Sequence, residues 1–469
     1  MKRSAPSSVL PSRRGLVLSA TALAFSGLGV RAVQASEGGD IIDHVQGYGA
    51  LKRDPAGVLD LPEGFSYRVL SSAGEIMDDG FITPDKFDGM GCLSLPDGRL
   101  ALVRNHELDP DEIRLGPTGG RLELDSRLAS LPAYDRRPDG RVLPGGVTTL
   151  VVDPAHGRRV RESLTLAGTV VNCAGGATPW GSWLTCEETT ISAPRTGASH
   201  GWVFEVPAIA TGPVAPVPLT AMGRFRHEAA AADPETGTVY LTEDREDGLL
   251  YRFLPRSPGR LSEGGRLQAL AFESGGSDSR NWRRADMTVG EVRAVRWIDL
   301  DEVESPKDDL RLRGHAAGGV LFARGEGIHL ATRPDSGCDV FFTCTSGGDR
   351  RLGQIFRLTS QPKAGSDKLC LFLESRDPRV MDYADNLTIA PWGHLVVCED
   401  RVGLKTNHLR VVTSAGQVCA LARLRMRTEL AGACFSPDGR ILFVNAYSPG
   451  RTFAIEGPWS AFSETPTPA

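Results

Sequence analysis

The chain has 469 residues, a formal net charge of -5 at pH 7, 24% charged residues, 54 glycines and 31 prolines. So little charge bias excludes a nucleic-acid binder built on a basic face, and the abundance of Gly and Pro points to a soluble globular protein with many turns. Nine cysteines with no C-x-x-C pair do not form a disulfide framework, and at least one thiol must stay unpaired within a monomer.

The first element in chain order is an export signal. Lys2, Arg3, Arg13 and Arg14 precede an apolar stretch from Leu16 to Val30 and the small-residue exit Val33-Gln34-Ala35. This three-part layout places residues 1–35 outside the fold and leaves 36–469 as one catalytic domain. Paired arginines before Gly15-Leu16-Val17-Leu18 form the pattern read by the twin-arginine translocase, so a periplasmic or secreted protein is expected. A Sec signal or a membrane anchor competes with that reading. The apolar run is short for a spanning helix, and no later segment is apolar enough for stable membrane insertion.

The rest of the chain repeats one pattern: an apolar run, a Pro-containing turn closed by Gly, a second apolar run, then polar residues. Its turns are Pro96-Asp97-Gly98, Pro179-Trp180-Gly181, Pro234 to Gly237, Pro334 to Gly337, Pro391-Trp392-Gly393 and Pro437-Asp438-Gly439. Runs this short between Pro, Asp and Gly predict β-hairpins. Six hairpins of one design predict an all-β fold, a six-bladed β-propeller with inserted loops and small helices. The N-terminal run Phe65 to Leu70 is expected to close the ring on Thr452 to Ile455, and Leu254 to Asp309 reads as an insertion. A pair of β-sandwiches is the competing architecture.

If the Pro/Gly turns lie at one end of each hairpin, the residues that start the first strand and end the second meet at the other end. Strand starts contribute Asp88, Asn172-Cys173, His227-Glu228, Arg324 with Glu326, and Asp385-Asn386. Strand ends contribute Asn105-His106-Glu107, Glu187-Glu188, Glu243-Asp244 and Glu399-Asp400. Carboxylates crowded in this way repel and desolvate one another unless cations compensate, and Arg104, Arg245, Arg324 and Arg401 are too few. Oxygen-rich clusters select hard cations such as calcium, whereas a thiolate in the same shell calls for a transition metal, so Cys173 among these acids suggests a mixed site. Cys92, Cys186, Cys344, Cys398 and Cys434 read as core residues, as Cys173 would if it stood alone. Arg324 beside Glu326 is a natural anion clamp.

Taken together, Asp88-Gly89-Met90, Arg104 to Leu108, Asn172 to Gly176 through Thr185 to Thr189, Arg226-His227-Glu228, Leu241 to Arg245, Phe322 to Gly327, and Asp385 through Asp400 resemble the PhoX-type alkaline phosphatases. The resemblance implies a six-bladed propeller that hydrolyses small phosphomonoesters at a cluster of two ferric ions and two or three calcium ions joined by a bridging oxygen. By motif position it implies Cys173, Glu228, Glu326 and Asp385 as iron-side ligands. Glu187, Glu188, Glu243, Asp244 and Glu107 are the implied calcium-side ligands. Arg324 is the implied phosphate clamp, with Lys86 or Arg104 filling the place of a family lysine. A monomer is expected. The competing functions are a calcium-dependent propeller hydrolase of lactonase or phytase type, which would not need Cys173, and a non-catalytic metal-stabilised binding propeller.

Overall fold

The computed structural model describes residues 48–361, 366–401 and 406–462; the export signal lies outside them. Each of the six Pro/Gly turns closes an antiparallel hairpin. The pairs are Phe87–Ser94 with Leu100–His106, Asn172–Ala177 with Ser182–Glu187, and His227–Ala232 with Val239–Glu243. They continue with Gly325–Thr332 and Cys338–Cys344, Ala384–Ile389 and Leu395–Glu399, and Leu430–Phe435 and Ile441–Ala446.

Further strands extend each hairpin outwards as a meander. Gly145–Asp153 and Arg158–Thr169 complete a four-stranded sheet, and Val203–Pro207 completes a three-stranded one. The nine-stranded sheet contains two meanders, His227 to Phe272 and Gly325 to Glu374, bridged by Val292–Asp299, which pairs with Gly265–Phe272 on one side and Asp367–Glu374 on the other. The insertion expected from Leu254 therefore starts later, because Gly265–Phe272 pairs with Tyr251–Pro255 as a regular strand. The first strands of the hairpins pack side by side around a central axis, and Leu430–Phe435 packs back on Phe87–Ser94. The result is an all-β, propeller-like arrangement, in which the described residues form two short α-helices, Leu122–Ala129 and Leu310–Ala316.

Close approach at the axis requires small residues. A Cβ on Gly89 would lie 2.5 Å from Ala174 Cα, and one on Gly327 would lie 2.6 Å from Asn386 Cα. The axial cavity that remains has a volume of about 530 Å³.

The N-terminal segment ties the ring shut twice. Ser66–Ser72 pairs with Arg451–Glu456, as the sequence predicts, and Leu59–Pro62 adds to the edge of Val418–Leu424. In that strand Asp60 is fully buried and accepts hydrogen bonds from Arg425 Nε (2.7 Å), Arg423 Nε (2.7 Å) and the Asp54 N–H (2.9 Å). Burial alone would raise its pKa, but these donors hold it at about 2. The carboxylate thus adds stability above the unfolded-state value of about 3.9 that is lost as pH falls through about 2. Asp60→Ala is expected to lower the free energy of unfolding by about 2 kcal/mol at pH 7, the half-exposed arginines limiting the loss. Urea titrations should show the gap from wild type narrowing between pH 4 and pH 2.

Candidate metal centre and active site

All six hairpins share one irregularity. Close to where the inner strand begins, two of its residues stand opposite one residue of the partner: between Phe87 and Met90, Asn172 and Gly175, His227 and Ala230, Gly325 and Ile328, Ala384 and Leu387, and Ala431 and Cys434. A β-bulge of this kind re-aims a side chain out of the ladder. The first bulged residues are Asp88, Cys173, Glu228, Glu326, Asp385 and Gly432, so five of six positions carry a ligand-type side chain. Two residues earlier, Lys86, Val171, Arg324 and Tyr383 have φ of 52°, 47°, 57° and 58°. Left-handed backbone at non-glycine residues is costly and clusters at functional sites.

The bulges assemble three overlapping ligand groups whose donor atoms lie within 4.8 Å of one another: Asp88, Glu107 and Cys173; Cys173, Glu188 and Glu228; Glu228, Glu326 and Asp385. Cys173 Sγ lies 3.6 Å from Asp88 Oδ2. Both carboxylate oxygens of Glu228 and Oδ1 of Asp88 are buried without a hydrogen-bond partner among the described residues. Burial followed by the Glu326 and Asp385 charges raises the Glu228 pKa well above the carboxylate range; burial likewise lifts Glu107 to about 7 and Asp385 to about 8. The Cys173 thiol is pushed up by burial and by Asp88.

Few cations answer this charge. Arg324 grips Asp244 through two hydrogen bonds (2.8 and 3.0 Å) and donates to Glu326 at 2.9 Å. Burial works against its charge, but Glu326 and Asp244 more than restore it. Lys86 is half-buried at the rim and tied to Glu112 at 2.7 Å. Orphaned buried oxygens around a thiol are a donor set that fits metal ions combining hard and soft preferences.

Six of the nine expected metal ligands therefore converge: Glu107, Cys173, Glu188, Glu228, Glu326 and Asp385. Asp244 stands beside them in the grip of Arg324. Glu187 and Glu243 have other work. Glu187 accepts from His200 Nδ1 (2.7 Å) and the Gly201 N–H (2.9 Å), and Glu243 from Tyr251 Oη (2.7 Å) and the Leu249 N–H (3.2 Å). Successive residues of a strand point to opposite sides, so in each acidic pair the first fastens the next loop and the second faces the axis. Glu399 fits the same rule, bonded to His408 and Arg410. Arg104 is also reassigned. It is wholly buried away from the cluster, donating to Glu162 (2.6 Å) and Thr452 (2.7 Å) with its guanidinium 3.5 Å above the Phe87 ring. Its neighbour Asn105 faces the axis instead and donates to the carbonyls of Cys173 (3.0 Å) and Ala174 (2.7 Å).

Two acidic-site residues carry no repeat signature. Tyr447 donates to Glu107, and Glu429 stands half-buried next to Asp400. Ala446 holds the strand-end position equivalent to Glu188 and Asp400, and Tyr447 stands one residue beyond it, so the repeat gives no signal for Tyr447.

The sequence pattern of the alkaline phosphatase PhoX family matches residues 46–450. The chain belongs to this family. It is thus a phosphomonoesterase, which sets aside the lactonase and the non-catalytic propeller. Among solved structures, Pseudomonas fluorescens PhoX in complex with vanadate, a transition-state analogue, superposes with a TM-score of 0.65 at 19% identity, covering 87% of this chain and 97% of that one. A gluconolactonase of Xanthomonas campestris superposes with a TM-score of 0.40 at 14% identity, covering 88% and 99%. No curated protein matches.

The alternation within acidic pairs has a direct check. Glu187→Gln is expected to cost about 2 kcal/mol of stability with metal content retained, and Glu188→Gln to reduce metal content with little loss of stability. Melting curves and elemental analysis of the two variants distinguish the roles. Arg104→Ala, which leaves buried Glu162 with Arg159 as its one remaining guanidinium partner among the described residues, should lower stability by about 3 kcal/mol.

Proposed function

We propose that this phosphatase is a six-bladed propeller, one domain over 36–469, that hydrolyses phosphomonoesters at the axial acidic face using iron and calcium. The observation that carries the reading is the pair of unpartnered Glu228 oxygens where two ligand groups overlap, with Arg324 poised on Glu326 beside them. Cys173, Glu228, Glu326 and Asp385 would hold iron, joined by Asp88 from the first bulge; Glu107, Glu188 and Asp244 would hold calcium. Bound there, the metal ions supply charge neutralisation for the phosphoryl group and an acidified water.

The chain's own residues then bind and orient the substrate. Arg324 is immobilised through Nε and Nη2, which leaves Nη1 to donate to an equatorial phosphoryl oxygen. Prior fixation by Asp244 means that little guanidinium entropy is lost when the ester docks. Lys86 Nζ carries a second positive charge at the rim; burial disfavours that charge, but Glu112 and Glu107 restore it. Asn105 holds the Cys173 carbonyl, and Tyr447 holds Glu107, so neither ligand can turn away.

Twin-arginine export of residues 1–35 agrees with this site, because that route carries proteins folded around their metals, where cytoplasmic thiols are still reduced. Among the described residues no helix is long and apolar enough to cross a membrane.

Purified native protein should contain iron and calcium by elemental analysis and release phosphate from p-nitrophenyl phosphate. Cys173→Ala should lose iron and at least a hundredfold in kcat/KM, with the β-sheet circular dichroism unchanged; wild-type turnover in that variant would refute the cluster. Arg324→Ala should weaken inorganic phosphate binding about tenfold to a hundredfold, the worth of a charge-assisted hydrogen bond, with metal content intact.

A further inference from the structure

A second guanidinium stands at the mouth of the site without a settled partner. Arg226 lies two residues before Glu228, at the position equivalent to Lys86 and Arg324 in their hairpins. Its backbone is fixed on both sides. Arg224 is buried and donates to the carbonyls of His200 (2.7 Å) and Ser305 (3.3 Å), while Phe225 stacks between His227 (3.6 Å) and Tyr251 (4.4 Å). The Arg226 carbonyl accepts from the Asp244 N–H at 3.3 Å.

The side chain is different. Its Nε is buried with no hydrogen-bond partner among the described residues, and its one ion pair, Nη1 to Glu188 Oε1, is long at 3.5 Å with the side chain 41% exposed. Arg245, one residue past Asp244, spends its charge on Asp308 at 2.6 Å, outside the cluster. Among the described residues Arg226 has no such outside carboxylate, and its one ion-pair partner is a member of the cluster itself. Glu188 shares a ligand group with Cys173 and Glu228, whereas Arg324 is bonded to Glu326 on the other side of Glu228. The two guanidiniums therefore flank the cluster, one held rigidly through Nε and Nη2, the other half-exposed with donors to spare.

We propose that Arg226 is an anion-binding residue for the organic part of the substrate, selecting phosphomonoesters that carry a second negative group, a carboxylate or a further phosphate. This rests on the phosphatase reading above. With the reacting phosphoryl group on Arg324, the remainder of the ester extends along the mouth toward Arg226, whose planar fork suits either oxyanion. An ester with a neutral organic part has nothing to offer it. The contact is made to a non-reacting part of the ester and is the same in the ground state and the transition state, so discrimination appears mainly in KM.

The test compares glycerate 3-phosphate and fructose 1,6-bisphosphate with p-nitrophenyl phosphate in the metal-loaded enzyme. Arg226→Gln should lower the ratio of kcat/KM for each doubly anionic ester to that for p-nitrophenyl phosphate about tenfold, through KM. Arg226→Lys should keep most of the ratio. An independent binding measurement is calorimetric titration with 3-phosphonopropionate and methylphosphonate: the wild type should prefer the former, and Arg226→Gln should lose that preference. An unchanged ratio or an unchanged preference overturns the proposal. So does loss of metal with uniform loss of activity, which would make Arg226 a positioning residue for Glu188. Absence of activity on all three esters in the wild type would instead refute the phosphatase reading.

Discussion

The constraint on which this structure depends is the burial of a ring of carboxylates and one thiol at the axis. Asp88, Glu188 and Glu228 surround Cys173, Glu326 and Asp385 adjoin Glu228, and burial plus mutual repulsion raises every one of their pKa values. A fold pays for such an arrangement only if cations stabilise it, since each uncompensated buried ion costs several kcal/mol. The rest of the architecture serves to hold these side chains together against that repulsion. Bulges aim them inward, glycines allow their strands to approach, and an outer set of hydrogen bonds prevents them from turning back to solvent.

That outer set uses the same strands that supply the ligands. The ladder alternates, so a Glu-Asp or Glu-Glu pair at a strand end divides its labour: Glu187, Glu243 and Glu399 tether the connecting loops, and Glu188, Asp244 and Asp400 lie on the axial side. The first strand-end pair follows the same logic with a different chemistry. His106 is buried and bonded to Thr148 and the Asp85 carbonyl, while Glu107 joins the cluster. The Arg104–Glu162 ion pair, wholly buried and supported by Thr148, Thr452 and Ser71, stiffens the sheet that delivers Asp88, Asn105 and Glu107.

The phosphate recognition we propose follows from the same economy of charge. Because the buried acids outnumber the nearby cations, the few guanidinium and ammonium groups stand at the margin of the cluster, on the side proposed to meet an incoming dianion. Lys86 and Arg324 adopt left-handed backbone immediately before their inner strands, which sets their side chains over the cluster at the expense of local strain. Val171 and Tyr383 share that conformation at the matching positions, so the strain belongs to the repeated strand entry and was put to use where the residue is basic.

The sequence by itself determined the hairpins, their turns, the closing strand and the chemical type of the site. These are local properties: Pro and Gly set turn dihedrals, and the spacing of acids against each turn puts them at one end. Ser66–Ser72 pairing with Arg451–Glu456 was legible for the same reason, as two apolar runs left without hairpin partners. Which acid of each pair faces the axis was decided only by the tertiary structure, because alternation puts the two on opposite sides of the strand and the packing of the hairpins settles which side is the axial one. Arg104 shows the limit plainly. Its position in the sequence is next to Asn105 and close to Glu107, yet its partner Glu162 comes from another strand of the sheet, and only packing could bring the two together and turn Arg104 from a candidate for phosphate binding into a scaffold residue.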